Sequence, residues 1–327
     1  MTTRGVHTTY EPQAPTPSQG VGRRVLAAAA VAATVPYLAL KAAWLSGSRI
    51  GIPDGSVLLE AGPFLTVANA VTLAMDAAVI VLVLVLTRPW GLRTPAWMLT
   101  VPVFTATGLL APILLGFPGQ LLVRALGFGT GPEEAAAREP FLDSWVFIVV
   151  YTGFTVQGLA LTGLFVPYAR RRWGRRWQGV LGERLPSPTG VVAAAAVPSA
   201  LALGALYLYW AFGGAAGMSA ERAEAYSVES AMASAAHAIC ALAAGVGTLL
   251  LTRGGTLRAR WPLGLTWVGA AATLAWGAWM LIASLGPQLD GGEAPSTAAQ
   301  LIYAGQMVTG ALATAVLTRF LISRRTS

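Results

Sequence analysis

The chain contains nearly the same short stretch twice, first as Leu86-Thr87-Arg88-Pro89-Trp90-Gly91-Leu92-Arg93 and later as Leu251-Thr252-Arg253-Gly254-Gly255-Thr256-Leu257-Arg258. A second match aligns six residues without a gap, namely Tyr151, Gly153, Val156, Gly158, Thr162 and Arg172 with Tyr303, Gly305, Val308, Gly310, Thr314 and Arg324. Spans rich in Leu, Ala, Gly and Arg can resemble one another through composition alone. The shared register of tyrosine and glycine favours an internal duplication instead.

Composition places both copies in a membrane protein. Hydrophobic residues make up 55% of the chain and charged residues only 11%, whereas about a quarter of a soluble domain is charged. Eight apolar runs reach the length of about 20 residues that a helix needs to cross a bilayer. They are residues 25–46, 64–86, 95–117, 145–168, 191–213, 231–251, 264–285 and 298–322. The sequence therefore predicts an all-α integral membrane protein with eight transmembrane helices.

The charges predict the orientation of these helices. Most arginines fall on one side of the spans and most acidic residues on the other. Because basic residues are retained in cytoplasmic loops, the N- and C-termini are expected in the cytoplasm and the protein in the plasma membrane. Four arginines are expected outside, namely Arg49, Arg124, Arg138 and Arg222. The net charge of +8 then reflects flanks that face anionic lipids, so membrane lipids rather than nucleic acid are the expected partners.

The duplication divides the chain into four parts. Residues 1–22 are polar and rich in proline, which predicts a disordered cytoplasmic tail. Residues 23–172 form the first four-helix repeat, 173–188 a basic cytoplasmic connector, and 189–327 the second four-helix repeat. The connector suits either a stretch in the membrane interface or a solvated loop. Since each half holds an even number of spans, the two repeats are expected to be parallel, related by an axis along the membrane normal.

Few residues are suited to metal or nucleophilic chemistry. The chain has one cysteine and two histidines, so neither a disulfide framework nor a Cys or His metal cluster can form. It contains no P-loop, GxSxG, HExxH or CxxC motif. We therefore expect no cofactor and no metal, and we assign no catalytic residue.

Asp76 is the strongest candidate for a functional residue. An ionisable side chain in the middle of a transmembrane helix costs about 2.5 to 3.5 kcal/mol on insertion scales. Asn69 and Thr72 precede Asp76 by two turns and one turn and share its helical face. The second half has Ser234, His237 and Ala241 at the corresponding positions. These residues predict a polar site between the halves, where Asp76 binds a cation and His237 opposes it or relays protons; the alternative is that they only hydrogen-bond neighbouring helices.

Three further polar side chains lie within the spans. Lys41 is the only lysine in the chain, and it either extends to the outer headgroups or pairs with Asp76 or Glu60. Gln157 and Gln306 occupy nearby positions in the repeat. They either line a path through the membrane or join helices by hydrogen bonds.

Two segments resemble multi-pass proteins of actinobacteria that have no assigned function. The segments are Val35-Pro36-Tyr37-Leu38-Ala39-Leu40-Lys41 with Trp44-Leu45-Ser46-Gly47, and residues 145–154 with Gln157-Gly158. The resemblance implies a plasma-membrane location and assigns no site residue.

Three functions fit these observations. We favour a small-molecule transporter or permease-like protein, because of the parallel repeats and the polar stripe at Asp76. The first alternative is a non-catalytic partner or sensor subunit, acting with another protein or as a homo-oligomer. The second is a membrane-embedded enzyme that acts on a lipid or isoprenoid with Asp76 or Glu60 as general acid.

Overall fold

A computed structural model describes residues 20–59, 62–128, 142–286 and 295–324. In these residues eight helices are long and apolar enough to cross a membrane, which confirms the predicted multi-pass helical protein. They are α1 Val21–Leu45, α2 Gly62–Thr87, α3 Ala96–Ala125, α4 Ser144–Trp173, α5 Thr189–Ala211, α6 Val228–Arg253, α7 Arg260–Ser284 and α8 Thr297–Ser323. Most of the predicted tail lies outside the described residues, and α1 begins at Val21.

The helices follow the apolar runs because a bilayer offers the backbone no hydrogen-bonding partner other than the helix itself. Two helices begin at serine caps: Ser227 accepts a bond from the backbone of Ser230, and Ser296 accepts one from Ala299. The helix α3 contains three prolines and continues to Ala125, beyond the predicted end at 117. Apolar residues at 121–123 explain the extension.

The helices of the second half form a closed bundle. Each one packs against the next, α5 on α6, α6 on α7 and α7 on α8, and α8 returns to α5. In the first half α1 packs on α2 and α4, but α3 barely touches α2. Instead α3 packs on α4, α6 and α7, and the indole nitrogens of Trp267 and Trp276 donate hydrogen bonds from α7 to Thr107 and to the carbonyl of Leu109. The helix α3 therefore joins the two halves.

Glycines allow some of these helices to approach to backbone contact. A methyl group at Gly269 of α7 would collide with the backbone of Cys240 and Ala244 in α6. One at Gly310 of α8 would collide with the backbone of Leu274 in α7. Association of helices in a membrane depends on this kind of close packing, since apolar side chains gain little by leaving lipid for protein.

We call the end of the bundle that holds the α2–α3, α4–α5 and α6–α7 connections the basic end. Two short strands pair there in antiparallel fashion, β1 Val180–Gly182 from the connector and β2 Gly255–Arg258. Leu181 and Leu185 of the connector are buried against α6, α7 and α8. The connector is therefore attached to the bundle by a strand pair that the sequence did not predict.

Two arginines at helix C-termini bind loop carbonyls at the basic end. Arg172 donates hydrogen bonds to the carbonyls of Gly91 (3.2 Å) and Thr94 and to the hydroxyl of Tyr168 (2.7 Å), which in turn donates to Gly91 (2.7 Å). Arg324 donates to the carbonyls of Gln178 (3.0 Å), Val180 and Leu181 (3.0 Å). Each arginine thus holds one connection against the bundle.

We expect Arg172→Gln to lower the free energy of unfolding by about 2 kcal/mol, because hydrogen bonds from a charged donor are worth about 1.5 to 3 kcal/mol. The measurement is a titration with sodium dodecyl sulfate from a mild detergent. Arg170→Gln is the matched control, since Arg170 lies on the same turn and is exposed. Equal losses in the two variants would contradict the role assigned to Arg172.

We call the opposite end of the bundle, where α1 ends and α6 begins, the acidic end. An ion pair joins α3 to α6 there. Arg124 Nε lies 3.0 Å from Glu229 Oε1, and Gln120 donates a hydrogen bond to the backbone carbonyl of Glu229. Arg124, one of the four arginines predicted to lie outside, is exposed and is neutralised by the largely buried carboxylate of Glu229.

Candidate functional site

The side chain of Asp76 is buried between α2 and α4. Its exposed fraction is 5%, and that of Gln157 in α4 is 1%. The amide of Gln157 donates a hydrogen bond of 2.7 Å to Asp76 Oδ1. The second carboxyl oxygen, Oδ2, is buried and has no hydrogen-bonding partner among the described residues. Among the described residues, Asp76 therefore has one oxygen with a hydrogen-bonding partner and one without.

The same face of α2 continues toward the acidic end through Thr72 and Asn69. The hydroxyl of Thr72 donates to the carbonyls of Ala68 and Asn69 in its own helix, and its side chain interacts with Tyr37 of α1. Asn69 is buried, and its Oδ1 accepts a hydrogen bond of 2.7 Å from Lys41 Nζ. We call Lys41, Asn69, Thr72, Asp76 and Gln157 the polar column.

Lys41 forms the end of the polar column that is nearer the acidic end. Its Nζ lies 4.8 Å from the ring centre of Trp44 and 5.1 Å from that of Tyr37, at distances where a cation is attracted to an aromatic face. A cavity of about 70 Å³ adjoins Lys41 and Asn69 and is otherwise lined by apolar side chains. Lys41 binds Asn69. Of the alternatives that the sequence leaves open, the pair with Asp76 is not formed, and Glu60 lies outside the described residues.

His237 packs against two aromatic side chains of the second half. Its ring stacks on Tyr207 at 5.2 Å and meets Trp276 edge-on at 5.3 Å. The hydroxyl of Tyr207 donates a hydrogen bond of 2.8 Å to Gln306 Oε1. These contacts lie within α5–α8, whereas the polar column lies within α1, α2 and α4. His237 therefore packs among its own helices, one of the two alternatives that the sequence leaves open, and does not join Asp76 in a site between the halves. Both glutamines join helices by hydrogen bonds, Gln157 to α2 and Gln306 to α5.

A larger cavity, which sequence reasoning missed, lies between α1 and α2 at the basic end. Its volume is about 650 Å³, and its lining includes Arg24 and Arg88 together with small and apolar side chains. The alanines at 27 and 28 in α1 are the only hint in the sequence, because small side chains leave space beside a neighbouring helix. Neither Asp76 nor His237 lines this cavity or the smaller one.

The chemistry available at Asp76 is that of a single buried carboxyl group. Burying a polar group without a hydrogen bond is costly, so a proton or a cation at Oδ2 would stabilise the site. The polar column contains no second carboxylate and no thiol. Comparison with known proteins found no family model, no curated protein and no solved structure that matches this chain.

Proposed function

We propose that this protein is a small-molecule transporter or permease-like protein in which Asp76 binds a coupling proton or small cation. The observation that carries the proposal is the buried Oδ2 of Asp76, which lacks a partner among the described residues. A carboxyl group retained only to join helices would be expected to have both oxygens satisfied, since an unsatisfied buried polar group costs about 1 to 3 kcal/mol. A group that binds and releases an ion needs a free oxygen.

We infer that an ion reaches this oxygen along the polar column. Asn69 and Asp76 lie two helical turns apart, or about 10 Å along the axis. Thr72 lies between them on the same face, and the small cavity adjoins Asn69. Apolar lipid excludes an ion from other approaches to Asp76. We therefore place the entry of the cation at the acidic end, next to Lys41.

We infer that the basic end faces the cytoplasm. The support is the positive-inside rule together with the contacts of Arg172 and Arg324, which gather the arginine-rich connections at one end. In this orientation the polar column opens toward the outside. An inwardly directed proton or sodium gradient would then load Asp76, which suits uptake driven by that gradient.

We also infer that the two halves arose by duplication. Arg172 and Arg324 correspond in the repeat, and both bind backbone carbonyls of a connection. Tyr168, which assists Arg172, corresponds to Phe320, over whose ring the guanidinium of Arg324 lies at 4.9 Å. The halves differ at α3, which packs against the second half, and at Asp76, which corresponds to Ala241. The first half would then bind the ion, and the second would serve as scaffold.

A lipid-soluble carbodiimide tests ion binding directly. A protonated carboxyl group transfers its proton to the reagent and adds to it through oxygen, giving an O-acylisourea. The acyl group then migrates from oxygen to nitrogen, which leaves a stable N-acylurea on the side chain that mass spectrometry can map. We expect modification of Asp76 in the folded protein, none in Asp76→Asn, and slower reaction at high pH or when sodium occupies the site. Glu229, paired with Arg124, is the internal control. A folded protein in which Asp76 stays unmodified at every pH would contradict the proposal.

The second candidate, a non-catalytic partner or sensor subunit, is favoured by one feature of the second half. Its buried polar side chains are used for packing, as the Tyr207–Gln306 hydrogen bond and the stacked His237 illustrate. Co-purification of another protein at fixed stoichiometry, or a stable homo-oligomer, would favour this candidate over transport. The third candidate function, an enzyme acting on lipid, would need an acidic residue near a lipid-accessible cavity. No acidic residue lines the cavity between α1 and α2, so this cavity does not support it.

A further inference from the structure

We propose that the cavity between α1 and α2 at the basic end is a binding site for an anionic phospholipid. The phosphate would lie between Arg24 and Arg88, and one acyl chain would lie along the apolar walls. This site is separate from the polar column and does not depend on the proposed transport function. Its ligand belongs to a definite chemical class, a glycerophospholipid with net negative charge from the leaflet at the basic end.

The walls of the cavity suit a hydrocarbon chain. The floor is formed by Val83, with an exposed fraction of 2%, and by Thr87, whose hydroxyl donates to the carbonyl of Val83 in its own helix. Ala27 and Val31 of α1 and Leu84 of α2 complete the sides. The side chains of Ala27 and Ala28 in α1 are too small to fill the space beside Val83, so a groove of about 650 Å³ remains. In a bilayer such an apolar groove is filled by lipid tails.

The charges at the mouth select the headgroup. Arg23 donates a hydrogen bond of 2.6 Å to the carbonyl of Leu86, which fixes the start of α1 beside the end of α2 and brings Arg24 near Arg88. Both Arg24 and Arg88 are exposed, and neither has an acidic partner among the described residues. Guanidinium groups bind phosphate oxygens in a two-pronged geometry, and basic pockets between transmembrane helices at the cytoplasmic side bind anionic headgroups.

Other occupants fit less well. A soluble phosphate would satisfy the arginines but leave the walls of Val31, Val83 and Leu84 empty. Phosphatidylcholine would fill the walls, but its choline cancels the charge that the two arginines attract. An anionic phospholipid uses both parts of the site.

The test measures lipid retained by the purified full chain in mild detergent, by native mass spectrometry. Phosphatidylglycerol, phosphatidylcholine with the same acyl chains, and inorganic phosphate are the three probes. We expect the wild type to retain phosphatidylglycerol in preference to phosphatidylcholine, and phosphate not to displace it. The double variant R24Q/R88Q should bind phosphatidylglycerol about tenfold more weakly. Displacement by phosphate at matched concentration would instead identify a site for soluble anions and overturn the proposal.

Two matched controls separate this site from general attraction to a basic surface. R170Q/R253Q removes two exposed arginines at the same end that do not line the cavity, and it should retain phosphatidylglycerol like the wild type. Ala28→Trp fills the groove without changing charge and should reduce retention, whereas Ala32→Trp, on an exposed position of α1 outside the groove, should not. Equal loss of retained phosphatidylglycerol in both members of either pair would refute the site. The comparison uses variants that elute as a single folded species.

Discussion

Gly269→Ala is expected to lower the free energy of unfolding by about 3 kcal/mol, at the upper end of the usual cost of overpacking. The added methyl group would meet the backbone of Cys240 and Ala244 in α6, and backbone cannot rotate away as a side chain does. The helices α6 and α7 would have to separate along an interface that holds the second half together. Titration with sodium dodecyl sulfate measures the loss.

The matched control is Gly264→Ala in the same helix. A methyl group there meets nothing within 4 Å, so the variant should be neutral or slightly more stable, because alanine is the better helix former by about 1 kcal/mol. The pair Gly310→Ala and Gly305→Ala in α8 repeats the contrast, since only Gly310 faces the neighbouring backbone. If Gly269→Ala and Gly264→Ala had the same stability, the described packing of α7 on α6 would be wrong.

The eight helices could be predicted from the sequence because the bilayer leaves a long apolar run little choice but a helix. The helix α2 illustrates this, with 64–86 expected and Gly62–Thr87 observed. The pairing of β1 with β2 could not be predicted, since strands of three and four residues far apart in sequence leave no periodic signal. The departure of α3 from α2 was equally hidden, because it depends on contacts with α6 and α7 that no local pattern records.

The polar face of α2 was predictable for a similar reason. Asn69, Thr72 and Asp76 recur at helical spacing, and that spacing alone puts them on one face. Their hydrogen-bonding partners belong to other helices, and helical spacing says nothing about those contacts. The sequence therefore predicts neither the bond from Lys41 to Asn69 nor the bond from Gln157 to Asp76. His237 is a possible partner for Asp76 because it corresponds to Thr72 in the repeat, yet its ring contacts Tyr207 and Trp276. Correspondence between repeats aligns positions and does not bring them into contact.

Asp76→Asn is expected to abolish the binding of the coupling cation while leaving the fold intact. Asparagine keeps an oxygen that can accept the hydrogen bond from Gln157, so the α2–α4 contact is retained. Its amide nitrogen replaces Oδ2, and this uncharged donor group neither takes up a proton near neutral pH nor coordinates a cation. The expected loss is complete, because the polar column contains no second carboxylate that could substitute.

Charge movement in reconstituted proteoliposomes on a solid-supported membrane tests this claim without knowledge of the substrate. A rapid step in proton or sodium concentration should produce a transient current in the wild type as the ion enters the membrane and binds Asp76. Glu229→Gln, which removes a carboxylate at the acidic end, should retain the current. We predict that Asp76→Asn reduces the current to that of protein-free liposomes. A current in Asp76→Asn as large as that of the wild type would contradict the assignment of Asp76 as the ion-binding residue.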